Sequence, residues 1–287
     1  RCLQGQGFWS HLRSFVTTTR PKSSSKRNPQ SVSLALTADN LTPSGKTLVD
    51  RLIAVSPGQE ASERCPVTSF EDASVWADCV RGQGVASFNY MAPLHYVNVP
   101  ICEPTPPVIE CADNACVTAG IDWAERVLSD RSASDLTRLL ALEQLTHFIE
   151  DLHQPLHVGE NGDRGGNGVT IATIEGGRAR NLHALWDGDV VTAALGANNE
   201  EFPAVRALMA QNASAWSGQT ISDWAIESYM ISRTVAYPSL ASPPACGATD
   251  ADGGQITQAY VEAAKPIVRQ QIARAAVRLA NAINRAA

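Results

Sequence analysis

Residues 132–154, SASDLTRLLALEQLTHFIEDLHQ, restrict the possible folds of this chain more than any other stretch. Leu136, Leu139, Leu140, Leu142 and Leu145 recur at helical spacing and make a broad apolar stripe. Such a stripe is stable only against other elements, so this helix must sit within a larger packed body. The same period returns in 115–130, 181–195, 201–216, 220–237 and 255–287, the last a long amphipathic helix with Pro266 near its start or at a kink. TPSGKTLVDRLIAV opens on Thr42 as N-cap and Pro43 at the first helical position, and TSFEDASVWADCVRG reads as a short helix ended by Gly82.

Between these segments, CEPTPPVIEC is a Pro-rich loop, and GENGDRGGNGVTIATIEGG loosens the chain after Pro155, with a hairpin expected around VTIATI. Residues 12–35 are Ser/Thr-rich and basic with little periodicity. The reading is a mostly α, single-domain, multi-helix, bundle-like fold: residues 1–39 an irregular N-terminal arm, residues 40–287 one helical domain.

The formal charge is -6, from 23 basic and 29 acidic residues. A protein that bound nucleic acid by phosphate neutralisation alone would be basic. If this one handles phosphates, bound metal is the obvious source of positive charge. No apolar run reaches the 18 or so residues of a membrane span. None of the seven cysteines forms a Cys-x-x-Cys pair, which argues against a thiolate zinc site. Cys111 and Cys116 bracket a short loop that a disulfide can close; buried free thiols are the alternative. Several disulfides would imply a secreted or periplasmic protein.

Three of the six histidines fall in HFIEDLHQPLH, residues 147–157. His147 and Asp151 stand four apart, as do His183 and Asp187, so each pair shares a helix face and offers imidazole nitrogen and carboxylate oxygen together. A lone pair of this kind is more often a hydrogen-bonded core or surface pair. Two pairs, with His157 beside the first beyond helix-breaking Pro155, favour metal. Asp78 in VWADCVR and His95 in APLHYVNVP are further candidates. His153 lies about 240° round the helix from His147 and reads as a packing residue.

HFIEDLHQPLH, the Gly165-Gly166-Asn167 turn and NLHALWD, in this order and spacing, resemble the S1/P1 zinc nucleases. ASVWADCVR, LHYVNVP and YPSLASPPACG followed by a long helix look like the same family, in its bacterial secreted branch, and the likeness covers about residues 40–287. It implies a helical fold with three zinc ions in a cleft. Asp78, His95, His147 and Asp151 would hold the first, with Asp151 bridging to its close neighbour; His157, His183 and Asp187 would hold a second. Asp78, Arg81 and Asp151 would act in catalysis, Arg81 facing the scissile phosphate. Tyr96 would stack a nucleobase, and Asn98 stands where the family often has an Asp that hydrogen-bonds the base. Asn167 would touch substrate.

Two positions depart from the family. Its third zinc takes a free N-terminal Trp and a His five residues on; here Gln6 precedes His11 by five, leaving His11 as the candidate ligand. Glu150 replaces a usual Gly, and would crowd the site, turn to solvent or add an oxygen ligand. The likeness also pairs Cys65 with Cys79, Cys102 with Cys246, and Cys111 with Cys116. The implied function is hydrolysis of single-stranded DNA and RNA to 5′-phosphate products, with 3′-nucleotidase activity, by a monomer that needs neither a membrane nor a protein partner. Zinc supplies the chemistry by lowering the pKa of bound water to about 7. The rivals are a zinc phospholipase C, and a zinc-binding homologue left incomplete without the N-terminal Trp. The phospholipases end their ligand set in His-x-x-x-Glu and space it more closely than the 26 residues from His157 to His183.

Overall fold

The computed structural model describes residues 29–103, 108–109, 111–173, 177, 179–196 and 198–287. Most of these residues are helical. The longer helices are α1 (Pro29–Asp39), α2 (Pro43–Ile53), α3 (Phe70–Gly82), α4 (Val117–Ser129), α5 (Asp135–His153), α8 (Phe202–Ser217), α9 (Ile221–Ile231) and α10 (Gln258–Ala286). Two short ones, α6 (Leu182–Ala184) and α7 (Val190–Leu195), are joined by a π-turn at Leu185–Asp189.

Helix α5 is the inner element. It packs against α2, α3, α4, α9 and α10 and buries Leu142, Leu145, Phe148, Ile149 and Leu152 completely. Ser134 caps its start by accepting from Thr137 N. Its end is set by Pro155, which pushes Gln154 out of the helical region (φ -85, ψ 116). The chain then makes a 3-10 turn, Pro155–His157, and enters β2 (Gly159–Glu160), which pairs in parallel with β1 (Val99–Pro100). The break turns His157 out of the helical row that carries His147 and Asp151. A helix buried on so many sides should be apolar, yet α5 also buries Glu143, Gln144, Thr146, His147, Asp151 and His153. Polar groups at such depth need partners, which marks this helix as more than packing.

The apolar interior has two parts. One gathers α2 to α5 and α9; the other gathers α6 to α8 and strand β3 (Val169–Ala172). Helix α10 serves both, with Leu279 and Ile283 in the first and Ala276 and Val277 in the second. Pro266 lies inside α10.

One local expectation is corrected and another is met in part. Part of the stretch read as irregular, 29–39, is helix α1. It buries Val32, Leu34 and Leu36, and Thr37 Oγ1 donates to Ser33 O at 3.0 Å. Its Ser/Thr-rich sequence carries little period, and packing against α10 supplies what propensity does not. Residues 1–28, with His11 and Cys2, lie outside the described residues. Of the hairpin expected around VTIATI, the described residues show one antiparallel bridge, Thr170 opposite Asn181, with Ile171 N donating to Arg180 O at 3.1 Å. β3 also pairs in parallel with β4 (Ala251–Gln255), Val169 opposite Ala251. Its alternation, Val169 and Ile171 in and Thr170 out, is that of a half-buried strand, but its partner is the Gly-rich ADGGQ far along the chain.

Three disulfides join Cys65 to Cys79, Cys102 to Cys246 and Cys111 to Cys116. Among the described residues, no helix is long and apolar enough to cross a membrane.

Candidate metal centre

A cleft of about 790 Å³ opens where the two parts of the interior meet. Asp78 reaches it from α3, His95 from the end of a 3-10 segment (Ala86–His95), and Asp151 from α5. His157 arrives from the turn after Pro155, and His183 and Asp187 from α6 and the π-turn. Such π-turns recur at functional sites because they re-aim side chains along a helix.

Hydrogen bonds fix the imidazoles. His147 Nδ1–H donates to Ser74 O at 2.6 Å, His157 Nδ1–H to His95 O at 2.7 Å, and His183 Nδ1–H to Gly165 O at 2.8 Å. Each carbonyl can only accept, so each Nδ1 carries the proton and each Nε2 is left as the ligand atom. Gly165 permits this approach: a Cβ there would lie 2.2 Å from Leu156 O, at φ +61.

The donor atoms converge. His95 Nδ1 lies 2.9 Å from Asp151 Oδ2 and 3.0 Å from His147 Nε2, and His147 Nε2 lies 3.1 Å from Asp151 Oδ2. Asp78 Oδ1 closes the group at 3.8 Å from His95 Nδ1 and 3.7 Å from His147 Nε2. Nitrogen and oxygen donors around a tetrahedral ion such as zinc stand about 3.4 Å apart, from bond lengths near 2.1 Å. The set fits that spacing. A second group holds His183 Nε2 at 3.5 Å from Asp187 Oδ2 and His157 Nε2 at 3.9 Å from Asp187 Oδ1. The two imidazole rings of that group stack at 4.9 Å. Asp151 also borders the second group: its Oδ1 lies 3.4 Å from His157 Nδ1, on the side of the ring away from its ligand atom.

Electrostatics agree with a cation-binding role. Burial opposes charge on His147, but the Asp151 carboxylate raises it to about 9. Burial pushes Asp151 up, and His147 and His157 overcome this and hold it well below the usual carboxylate range. Burial lowers His183, which keeps it neutral and able to coordinate. A cation held by this group would take the place of the second proton on His147 Nε2.

Around this core, Arg81 Nη2 lies 2.7 Å from Asp78 Oδ1. Tyr96 lines the cleft with 42% of its surface exposed, and Asn98 is also exposed there. Asn167 is exposed at the cleft too, but its side-chain N–H donates to Arg164 O at 2.8 Å. His153 borders the cleft, but both of its ring nitrogens are engaged: Nδ1–H donates to Ile149 O at 2.6 Å and Nε2 accepts from Arg278. Glu150 does not turn to solvent. Both of its oxygens are shut off from water, and burial raises its carboxyl well above the ordinary value, with His147 and Ser33 pulling the other way.

Sequence reasoning missed several contributors. Gln154 donates through Nε2 to Asp187 Oδ1 at 2.7 Å and, through Oε1, accepts from Leu156 N at 2.5 Å. It therefore joins the helix break to the second group. Asp163, wholly buried, organises the Gly-rich loop: its Oδ1 accepts from Gly166 N at 2.8 Å and from Tyr237 OH at 2.8 Å. The glycine density of GDRGGN signals a turn but not these partners.

A helical body with two adjoining His/Asp groups in an open cleft has the donor arrangement of a metal-dependent hydrolase. A model of the family described as S1/P1 Nuclease matches residues 34–287. The chain belongs to that family and is, as a member, a nuclease. Endonuclease 4 of Arabidopsis thaliana is 33% identical over 227 residues, covering 69% of this chain and 71% of that protein. Nuclease P1 of Penicillium citrinum is 28% identical over 232 residues, covering 73% of this chain and 81% of that one. Nuclease S1 of Aspergillus oryzae is 30% identical over 132 residues, covering 44% and 43%.

Proposed function

We propose that this chain is a zinc-dependent nuclease that cuts single-stranded DNA and RNA to 5′-phosphate products and removes 3′-phosphate from nucleotides. The observation that carries the reading is the convergence of His95 Nδ1, His147 Nε2 and Asp151 Oδ2 within 3.1 Å of one another. Asp78, His95, His147 and Asp151 would hold one ion, and His157, His183 and Asp187 a second; His11 remains the candidate for a third. Bound zinc supplies a nucleophile at neutral pH and offsets phosphate charge.

The chain's own groups do the rest. Arg81 presents a guanidinium at the edge of the first group, where it can donate to phosphate oxygens as charge builds. Asp78 holds that guanidinium in place. Tyr96 offers an open ring on which a base can stack only after leaving its duplex, which is the physical basis for single-strand preference. Asn98 stands near enough in sequence to read the base edge. Gln154 steadies Asp187. The His183-Asp187 pair, rather than His and Glu, favours a nuclease over a phospholipase C. Three disulfides support a secreted or periplasmic protein, and the reading includes a monomer.

The test is zinc per chain with single-stranded DNA digestion on the same sample. Close to three zinc ions with digestion supports the full reading. Two or fewer without digestion favours a zinc-binding homologue with an incomplete centre.

A further inference from the structure

Among the described residues, Arg81 and Arg164 are the two Lys or Arg side chains that line the cleft, with the acidic residues Asp78, Glu150, Asp151 and Asp187. They differ in their commitments. Arg81 is paired with Asp78. Arg164 makes no salt bridge among the described residues and is exposed.

They also lie at opposite ends of one line of contacts. Arg81 touches Asp78, which neighbours His95 and His147; Asp151 leads on to His157, and Asp187 to His183. His183 is anchored on Gly165 O, and Arg164 is the next residue. A strand whose scissile phosphate lay over the donors would have Arg164 within the same cleft, beyond the second group.

The backbone of Arg164 is costly to hold. It has φ +62, a left-handed conformation in which Gly would carry no strain. The loop imposes it. Asp163 Oδ1 accepts from Asn161 N at 3.3 Å and from Gly166 N at 2.8 Å. Asn167 closes the turn onto Arg164 O with its side chain at 2.8 Å and its backbone N–H at 3.4 Å. The turn thus holds at the mouth of the site an exposed guanidinium that makes no salt bridge among the described residues and is available to a ligand.

We propose that Arg164 binds a flanking phosphate of the polynucleotide, outside the scissile linkage, and that Asn167 is its positioning residue. This rests on the nuclease reading above. It makes the second end of the cleft the place where a polymer is distinguished from a short substrate.

The test is binding of a labelled, phosphorothioate-substituted single-stranded octamer to zinc-loaded protein across a salt series, with an unlabelled dinucleoside monophosphate as competitor. Arg164→Ala should weaken octamer binding about tenfold and flatten the salt dependence by about 0.7, one phosphate contact on a single strand. Dinucleoside binding should not change. Arg164→Lys should keep the salt slope, since the charge remains. Asn167→Ala should weaken octamer binding less, and add nothing to Arg164→Ala in the double variant. Arg164→Gly removes charge and strain together, so it should bind the octamer weakly while raising the Tm. Unchanged octamer affinity and slope in Arg164→Ala, or equal losses on octamer and dinucleoside, would overturn the proposal and leave the nuclease reading intact. No octamer binding by the unaltered protein would overturn both.

Discussion

His147 Nε2 and Asp151 Oδ2 lie 3.1 Å apart, one turn from each other on α5. The second oxygen of Asp151 lies 3.4 Å from His157 Nδ1, so one carboxylate touches both donor groups. Asp151→Ala should therefore empty more than one position. Metal content should fall by at least one ion per chain, and nuclease activity by more than about 100-fold, beyond the loss usual for residues that only orient a ligand. Asp187→Ala, confined to the second group, should cost less metal. Metal analysis after dialysis compares the two variants; equal losses would mean that Asp151 serves a single group.

Tyr96 follows His95 in an extended conformation, φ -151 and ψ 169. Its carbonyl accepts from Val117 N at 3.1 Å, and the next residue, Val97, donates to His157 O at 2.8 Å. The backbone is thus held on both sides while the ring stays open. Tyr96→Ala should weaken nucleotide substrates by about 1–3 kcal/mol, roughly 5- to 150-fold in KM, the usual worth of a stacked base. Methyl p-nitrophenyl phosphate, which has no nucleobase to seat there, should lose little. Equal losses on both substrates would remove the stacking role.

The sequence made some parts of this site readable and hid others for identifiable reasons. His147 with Asp151 and His183 with Asp187 follow from helical spacing alone, because residues four apart must share a face. Grouping Asp78 and His95 with them needed the likeness to a family, since no local period joins α3, a 3-10 segment and α5. The carbonyls of Ser74, His95 and Gly165, which fix the imidazole tautomers, leave no mark in a sequence because every residue has one. Helix α1 was hidden by low propensity and the β3–β4 pairing by distance along the chain. Arg164 was hidden because its left-handed backbone is a property of the folded loop and not of arginine.

The Cys102–Cys246 bridge spans 144 residues and ties the β1 end to the segment beside the Gly-rich loop. Asn161 reinforces the junction, donating to Ala245 O at 2.8 Å and accepting from Gly247 N at 3.1 Å. Long loops lose the most unfolded-state entropy when closed, so replacing both cysteines by serine should cost about 2–5 kcal/mol. At this chain length that corresponds to a fall in Tm of about 3–8 °C. A thermal scan with and without reductant checks it. Reductant should lower the Tm of the unaltered protein more than that of the double variant; identical shifts would assign the stabilisation to the other two bridges.

Glu143 gives a pH dependence of stability separate from the donor groups. It is fully buried on α5, and Gln59 Nε2 donates to its Oε2 at 2.5 Å. Burial pushes its carboxyl from 4.5 up to about 8, with the Gln59 bond pulling the other way. Glu143 Oε1 lacks a partner, and an uncompensated charge at that depth is costly, which favours the protonated acid. The folded-state value is the raised one, so the folded protein binds the proton more tightly. The resulting stability is fully present below about pH 4.5, declines as the pH rises, and is gone above about pH 8. The decline is at most about 1.4 kcal/mol per pH unit. Glu143→Gln keeps the shape and the Gln59 bond but does not titrate. Denaturant unfolding at several values between pH 5 and 8 should show the unaltered protein losing stability relative to this variant across the range. Taking the difference cancels the titration of the donor groups common to both proteins. Parallel curves would mean that Glu143 is already ionised in the folded state and that its partner is a group other than a proton.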